Sequence, residues 1–199
     1  MGTTARNRAL SLIAERGGYV RSRDLRAAGI HPSELPTLER AGIVVRLKRG
    51  LYALPSGVER DQRLEALLAV PGSVLCLASA LAHHRLGTWE PPQIYLAIQA
   101  GRRVVLPDGP PIRLFHFAAE TFDLGLSNIR TKGGAMRVYN AERTVCDLFR
   151  FRHRLGKDVA MEALREYLKR RARKVNAMLD YAGRLHVLGP LRAALEALL

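Results

Sequence analysis

Residues 9 to 53 are interrupted by glycine at intervals that leave room only for short elements. Ala9, Leu12 and Ile13 recur at helical spacing until Gly17-Gly18 stops them. Tyr19 and Val20 suit a short extended stretch, and Ser22 is a good N-cap for a second helix over Arg23 to Ala28, which Gly29 ends at its C′ position. A third helix is expected from Pro32 to Ala41, with Leu35 and Leu38 facing inward and Gly42 as its stop. Pro36 removes a backbone donor there and is expected to kink or shorten that helix. Ile43, Val44, Val45 and Leu47, a turn at Lys48-Arg49-Gly50, then Leu51, Tyr52 and Ala53 read as a hairpin with a basic tip.

Three helices and a hairpin in that order predict a winged helix-turn-helix. Its third helix would enter a major groove, and its wing would touch neighbouring phosphates. The charge agrees with such a partner. The chain carries 32 Lys+Arg against 18 Asp+Glu, a net +14, which points to a polyanion. Up to Gly57 there are ten basic residues and four acids, a net +6. Arg21 and Arg23 at the start of helix two, with Arg46, Lys48 and Arg49 on the hairpin, are placed to neutralise phosphates. Ser33, Thr37 and Arg40, with Glu34, project from the outer face of helix three toward base edges. A solvated surface on a protein-docking module is the competing reading. It is weaker, because the basic excess sits where the fold needs it.

Leu54-Pro55-Ser56-Gly57 closes this block, so the expected domains are 1–57, the winged helix-turn-helix, and 58–199. In the second, helical patterns cover Arg60 to Val70, Leu75 to Leu86, Ala141 to Phe151, Asp158 to Arg171, Val175 to Leu185 and Leu191 to Leu198. Strands are expected at Ile94 to Ile98, Val104 to Leu106 and Ile112 to Phe117, with short ones near Ile129 and Val138. No βαβ alternation appears, so the fold class is α+β: a winged helix followed by a mixed domain with a small sheet and C-terminal helices.

Several chemistries find no support. His83 and His84 are adjacent, so on a helix they point about 100° apart and chelate one ion poorly. With no Cys-x-x-Cys and no His-Glu-x-x-His, neither metal nor cofactor is expected. The strands Ile94 to Ile98 and Ile112 to Phe117 lack the Asp, Glu and Lys of a nuclease centre. Glu142 and Asp147 stand off a shared face, whereas Arg143 and Asp147, at i and i+4, suit a salt bridge within their helix. No enzyme is expected. Cys76 and Cys146, each inside an apolar helical pattern, read as buried thiols in a reducing cytoplasm. No apolar run approaches the roughly 20 residues of a membrane span. Lys169, Arg170, Arg171, Arg173 and Lys174 crowd a junction between two helices. They read either as a solvated helix end or as a second contact with a polyanion or an acidic partner.

The runs Ala28-Gly29-Ile30, Leu35, Leu38, Gly42, Arg46 and Arg49-Gly50-Leu51-Tyr52-Ala53-Leu54-Pro55 are similar to the winged helix of AbiEi-type antitoxins. Ala78-Ser79-Ala80-Leu81-Ala82-His83-His84 with Leu86-Gly87 extends the resemblance. So do Glu142-Arg143-Thr144-Val145-Cys146-Asp147-Leu148-Phe149, Phe151-Arg152 and Gly156-Lys157-Asp158-Val159-Ala160. The resemblance implies a repressor that binds inverted repeats in double-stranded operator DNA. It also implies a C-terminal domain that counteracts a nucleotidyltransferase-like toxin, as in type IV systems of abortive phage defence. The alternative is a stand-alone winged-helix transcription factor whose C-terminal domain senses a ligand.

Overall fold

The structure, a computed structural model, describes residues 2–55 and 61–198. The boundary expected at Ser56-Gly57-Val58 and the helix start at Arg60 lie outside the described residues. The chain divides into two compact units. The first gathers residues 1–71, 104–110 and 129–136, and the second gathers 72–103, 111–128 and 137–199.

In the first unit, α1 (Gly2–Glu15) leads through Gly17-Gly18 into β1 (Tyr19–Arg21) and α2 (Ser22–Ala27). A 3₁₀ turn (Pro32–Glu34) precedes α3 (Leu35–Arg40), the hairpin β2 (Val45–Lys48) and β3 (Leu51–Ala53) follows, and then α4 (Gln62–Ala69). The three strands form an antiparallel sheet in the order β1-β3-β2, with Tyr19 opposite Ala53 and Arg46 opposite Tyr52. The core holds Ala9, Ile13, Leu35 and Leu38, which the periodicity singles out, with Leu12 partly buried against it, and adds Leu25, Ile30, Val44 and Tyr52. Gly29 has φ +77°, where any side chain would be strained, and this lets the Ile30 amide return to the Leu25 carbonyl at 2.9 Å. The hairpin is shorter than expected. Ile43 and Val44 precede it, because Val44 is committed to the core and the ladder begins at Val45.

In the second unit, β4 (Val74–Leu75) runs into α5 (Leu77–His84), followed by β5 (Ile94–Gln99), β6 (Ile112–Phe117) and α6 (Ala119–Phe122). The hairpin β7 (Leu126–Thr131) and β8 (Gly134–Tyr139) comes next, its tip falling in the first unit. The chain closes with α7 (Ala141–Arg150), α8 (Arg152–Leu155), α9 (Lys157–Leu168), α10 (Val175–Arg184) and α11 (Leu188–Glu196). A five-stranded mixed sheet has the order β6-β5-β4-β8-β7. β5 runs parallel to β6 and antiparallel to β4, while Leu75 of β4 pairs in parallel with Val138 of β8.

Two expectations fail here. Val104 to Leu106 form no strand: Val105 is 80% and Leu106 39% exposed, so the apolar run finds neither a ladder partner nor a core. Cys76 is not inside a helix but is the N-cap of α5, because β4 takes up Val74 and Leu75 and bonds the Cys76 amide to the Tyr95 carbonyl at 3.1 Å. Both cysteines are nonetheless free and buried, and burial pushes the Cys146 thiol up to about 12. His84 serves packing: its Nε2–H donates to the Tyr139 carbonyl at 2.7 Å. Burial, with the Arg170 guanidinium as a lesser cause, holds its imidazole below the usual histidine range.

Arg143 and Asp147 make the salt bridge expected within α7, at 2.9 Å, with both side chains fully buried. Arg143 Nη1 also donates to the carbonyls of Thr121 (2.7 Å) and Leu124 (3.0 Å), and the guanidinium lies 4.6 Å from the centre of the Tyr139 ring. Burial raises the Asp147 carboxyl, against the opposing pull of Arg143. Removing one partner strands the other's charge and costs about 3–5 kcal/mol, whereas an apolar replacement of both is far gentler. Arg143→Met is therefore expected to lose more stability in urea unfolding than the double variant Arg143→Met/Asp147→Leu. Equal losses would show that the pair is not what the single substitution disturbs.

Candidate nucleic-acid interface

The geometry of the first unit begins at the start of α2. The Asp24 carboxylate accepts from the Arg21 backbone amide at 3.3 Å and fixes where the helix starts, one residue before Arg23. Leu25 and the Ile30 amide close its far end. The chain then turns at His31, whose amide donates to Glu34 Oε1 at 3.2 Å. His31 Nδ1 accepts from the Ser33 amide at 3.3 Å and lies 2.8 Å from the Ser33 hydroxyl.

The helix expected from Pro32 to Ala41 is shorter, as Pro36 predicts: Pro32–Glu34 form a 3₁₀ turn and α3 begins only at Leu35. Pro36 sits in its first turn, where its missing N–H would have had no partner. Leu35 and Leu38 are buried, which turns Thr37 and Arg40 outward. Arg40 folds back along its own helix: Nε donates to the Pro36 carbonyl at 3.2 Å and Nη2 reaches Thr37 Oγ1 at 3.5 Å.

The remaining cations fall into two classes. Arg23 is 80% exposed at its side chain and 3.9 Å from Asp24, while Arg46 on β2 and Arg49 at the wing tip are exposed. Arg21 and Lys48 are half-buried and already hydrogen-bonded. Arg21 Nη2 donates to the Leu68 carbonyl at 3.0 Å, and Lys48 Nζ donates to the carbonyls of Ala69 (3.1 Å) and Val105 (2.5 Å). Lys48 thus holds α4 and the 104–110 segment against the hairpin within the first unit. Sequence reasoning had no route to this, because the acceptors lie 21 and 57 positions away and are backbone atoms.

The basic cluster of the second unit is likewise divided. α9 ends at Leu168, so Lys169 to Lys174 form the connection to α10. Lys169 pairs with Glu166 at 2.5 Å, Arg170 Nη2 donates to the His84 carbonyl, and the Lys174 amide donates to the Tyr167 hydroxyl at 2.6 Å. Arg173 reaches back to the Arg170 carbonyl at 3.2 Å, and Arg171 is exposed. Among the described residues, no group of three or more His, Cys, Asp or Glu is placed to hold a metal ion, and no helix is long and apolar enough to cross a membrane.

Lys48→Met is expected to lower the melting temperature of the chain by several degrees, since it removes the hydrogen-bond donor for two carbonyls. Arg49→Ala, at the exposed tip, is expected to leave it unchanged. Equal melting of the two variants, read by calorimetry, would remove Lys48 from the structural class.

Among curated proteins, none matches this chain. Among solved structures, the chain is similar to the crystal structure of the RV2827C protein from Mycobacterium tuberculosis, with a TM-score of 0.57 and 18% identity. That similarity covers 98% of this chain and 81% of the other, and it is a likeness of fold. In sequence, residues 7–55, the segment that builds the three helices and the wing, match the family described as transcriptional regulator, AbiEi antitoxin.

Proposed function

We propose that the chain is a non-enzymatic antitoxin that represses its own operon. In this reading residues 1–57 bind inverted repeats in operator DNA and residues 58–199 counteract a nucleotidyltransferase-like toxin. The observation that carries the reading is the β1-β3-β2 sheet with α3 beside it and Arg46 and Arg49 exposed on the wing, in a segment matching antitoxin regulators. α3 offers Thr37 and Arg40 to base edges, with Ser33 beside them and Arg23 at the flanking phosphates. Arg21 and Lys48 act at one remove, by fixing the elements that carry the exposed cations.

The exposed wing cations and the tethered lysine predict different salt behaviour. Binding of the full-length chain to DNA upstream of its gene is measured across a salt series. Arg46→Ala and Arg49→Ala should each flatten the log–log slope by about 0.9 and weaken all DNA alike. Replacing Thr37 and Arg40 should instead cost about 1–3 kcal/mol on the operator and little on random DNA. An unchanged slope in the wing double variant would take the wing off the DNA, and equal losses on both DNAs would move Thr37 and Arg40 to the backbone class.

For the second activity, Arg171 and Arg173 are the residues to reverse: both are exposed, Arg173 holding only a solvent-exposed bond to the Arg170 carbonyl, whereas Arg170 is held by the His84 carbonyl and Lys169 by Glu166. Arg171→Glu/Arg173→Glu is expected to abolish growth rescue on co-expression with the adjacent toxin gene while operator affinity holds. Full rescue by the folded variant would leave the cluster a solvated helix end.

A further inference from the structure

Within the first unit lies a cavity of about 400 Å³, in the range of about 300–1,000 Å³ that small-molecule sites occupy. Its polar wall is cationic: Arg16, Arg21, Arg23 and Lys132 face it with Asp24. Asp24 is already shared. Its carboxylate lies 3.1 Å from Arg16 and 3.9 Å from Arg23, and it also accepts from the Arg21 amide at 3.3 Å. One carboxylate among four cations leaves the cavity with a surplus of three positive charges. Among the described residues, no carboxylate lies within ion-pairing distance of Arg21 or Lys132. Collecting like charges around a concavity is unfavourable unless an anion resolves it.

Lys132 is brought here by fit. A Cβ on Gly17 would stand 2.0 Å from the Lys132 carbonyl oxygen, and one on Gly133 would stand 2.6 Å from Leu64 and 2.8 Å from Tyr19. Only glycine at both positions lets the hairpin tip approach the end of α1 and the Tyr19 ring so closely. Tyr19, Leu51 and Leu68 give the same cavity an apolar part to its lining. A ligand suited to this surface has several anionic oxygens at one end and a flat apolar body at the other.

We propose that this cavity binds a phosphorylated small molecule of mononucleotide class, and that occupancy lowers affinity for operator DNA. The phosphate is held by Lys132, Arg16 and Arg21, and the base lies against Tyr19 and Leu68. The second half rests on the operator-binding reading above. Arg23 lines this cavity and is also the cation assigned above to flanking phosphates, so an anion in the cavity neutralises charge that DNA would use.

The test uses the full-length chain with adenosine monophosphate and inorganic pyrophosphate as probes, first without DNA, by isothermal titration calorimetry. Binding of either probe is expected, weakened about tenfold or more by Lys132→Glu and to a smaller degree by Lys132→Ala, with melting curves confirming that both variants fold. No binding by the wild-type chain at millimolar probe, or binding untouched by both variants, overturns the site. The DNA arm adds adenosine monophosphate to operator complexes, against sodium chloride of equal ionic strength. Loss of operator affinity is expected in the wild type and a smaller loss in Lys132→Ala, whose operator affinity without nucleotide should match the wild type. If Lys132→Ala alone weakens DNA binding, the cations belong to the DNA track and the proposal fails. Nucleotide binding with no effect on DNA overturns the coupling and keeps the site. A chain that binds nucleotide but no operator keeps the site and sinks the operator-binding reading instead.

Discussion

A guanidinium cut off from water must find its partners inside the protein, and Arg143 organises the second unit by doing so. Its fully buried side chain bonds Asp147 on its own helix and two carbonyls, Thr121 and Leu124, in and just after α6. It also lies over the ring of Tyr139 at the end of β8, whose hydroxyl donates to the Phe122 carbonyl at 2.7 Å. A single charge therefore fixes the distance between α7, α6 and the sheet. Asn140 sets the start of the same helix by accepting from the Arg143 amide at 2.9 Å. The apolar residues around this point, Phe117, Val145 and Leu148 among them, fill the space that the polar contacts define.

In the first unit the dependence falls on β3. It is the central strand, paired on one edge with β1 and on the other with β2, and Leu51, Tyr52 and Ala53 are all buried. The wing can extend only because its second strand is anchored in this way. The cations on β2 and at the tip are held out by a ladder whose inner member belongs to the core. This explains why so small a domain presents Arg46 and Arg49 in fixed positions without tying down their side chains.

Local signals in the sequence were legible where local physics decides the outcome. Gly17-Gly18, Gly29 and Gly42 mark the ends of α1, α2 and α3, and the i, i+4 spacing of Arg143 and Asp147 identifies their bond. The family resemblance read from the N-terminal residues is matched over 7–55. What escaped depends on distant partners. β4 has only two residues and is a strand because β5 and β8 flank it, so periodicity merges it with the helix that follows. Val104 to Leu106 have strand composition but no neighbour to pair with. Arg21, Lys48 and Arg170 look alike as surface cations until the carbonyls of Leu68, Ala69, Val105 and His84 are brought to them. Charge patterning locates basic residues well and cannot tell those that are occupied from those that are free.

The first unit is assembled from three separate stretches of chain, the last ending at residue 136. Synthesis is vectorial, so this has a consequence for the newborn protein. At roughly 5–20 residues per second, the ribosome needs about 3–13 s to travel from the end of the first stretch to the end of the third. At the start of that interval the helices and hairpin have already been synthesised, and Lys48 has yet to meet the Val105 carbonyl. The wing is therefore made well before the last of the stretches that support it. Maturation of the N-terminal segment is timed by the translation of residues far downstream of it.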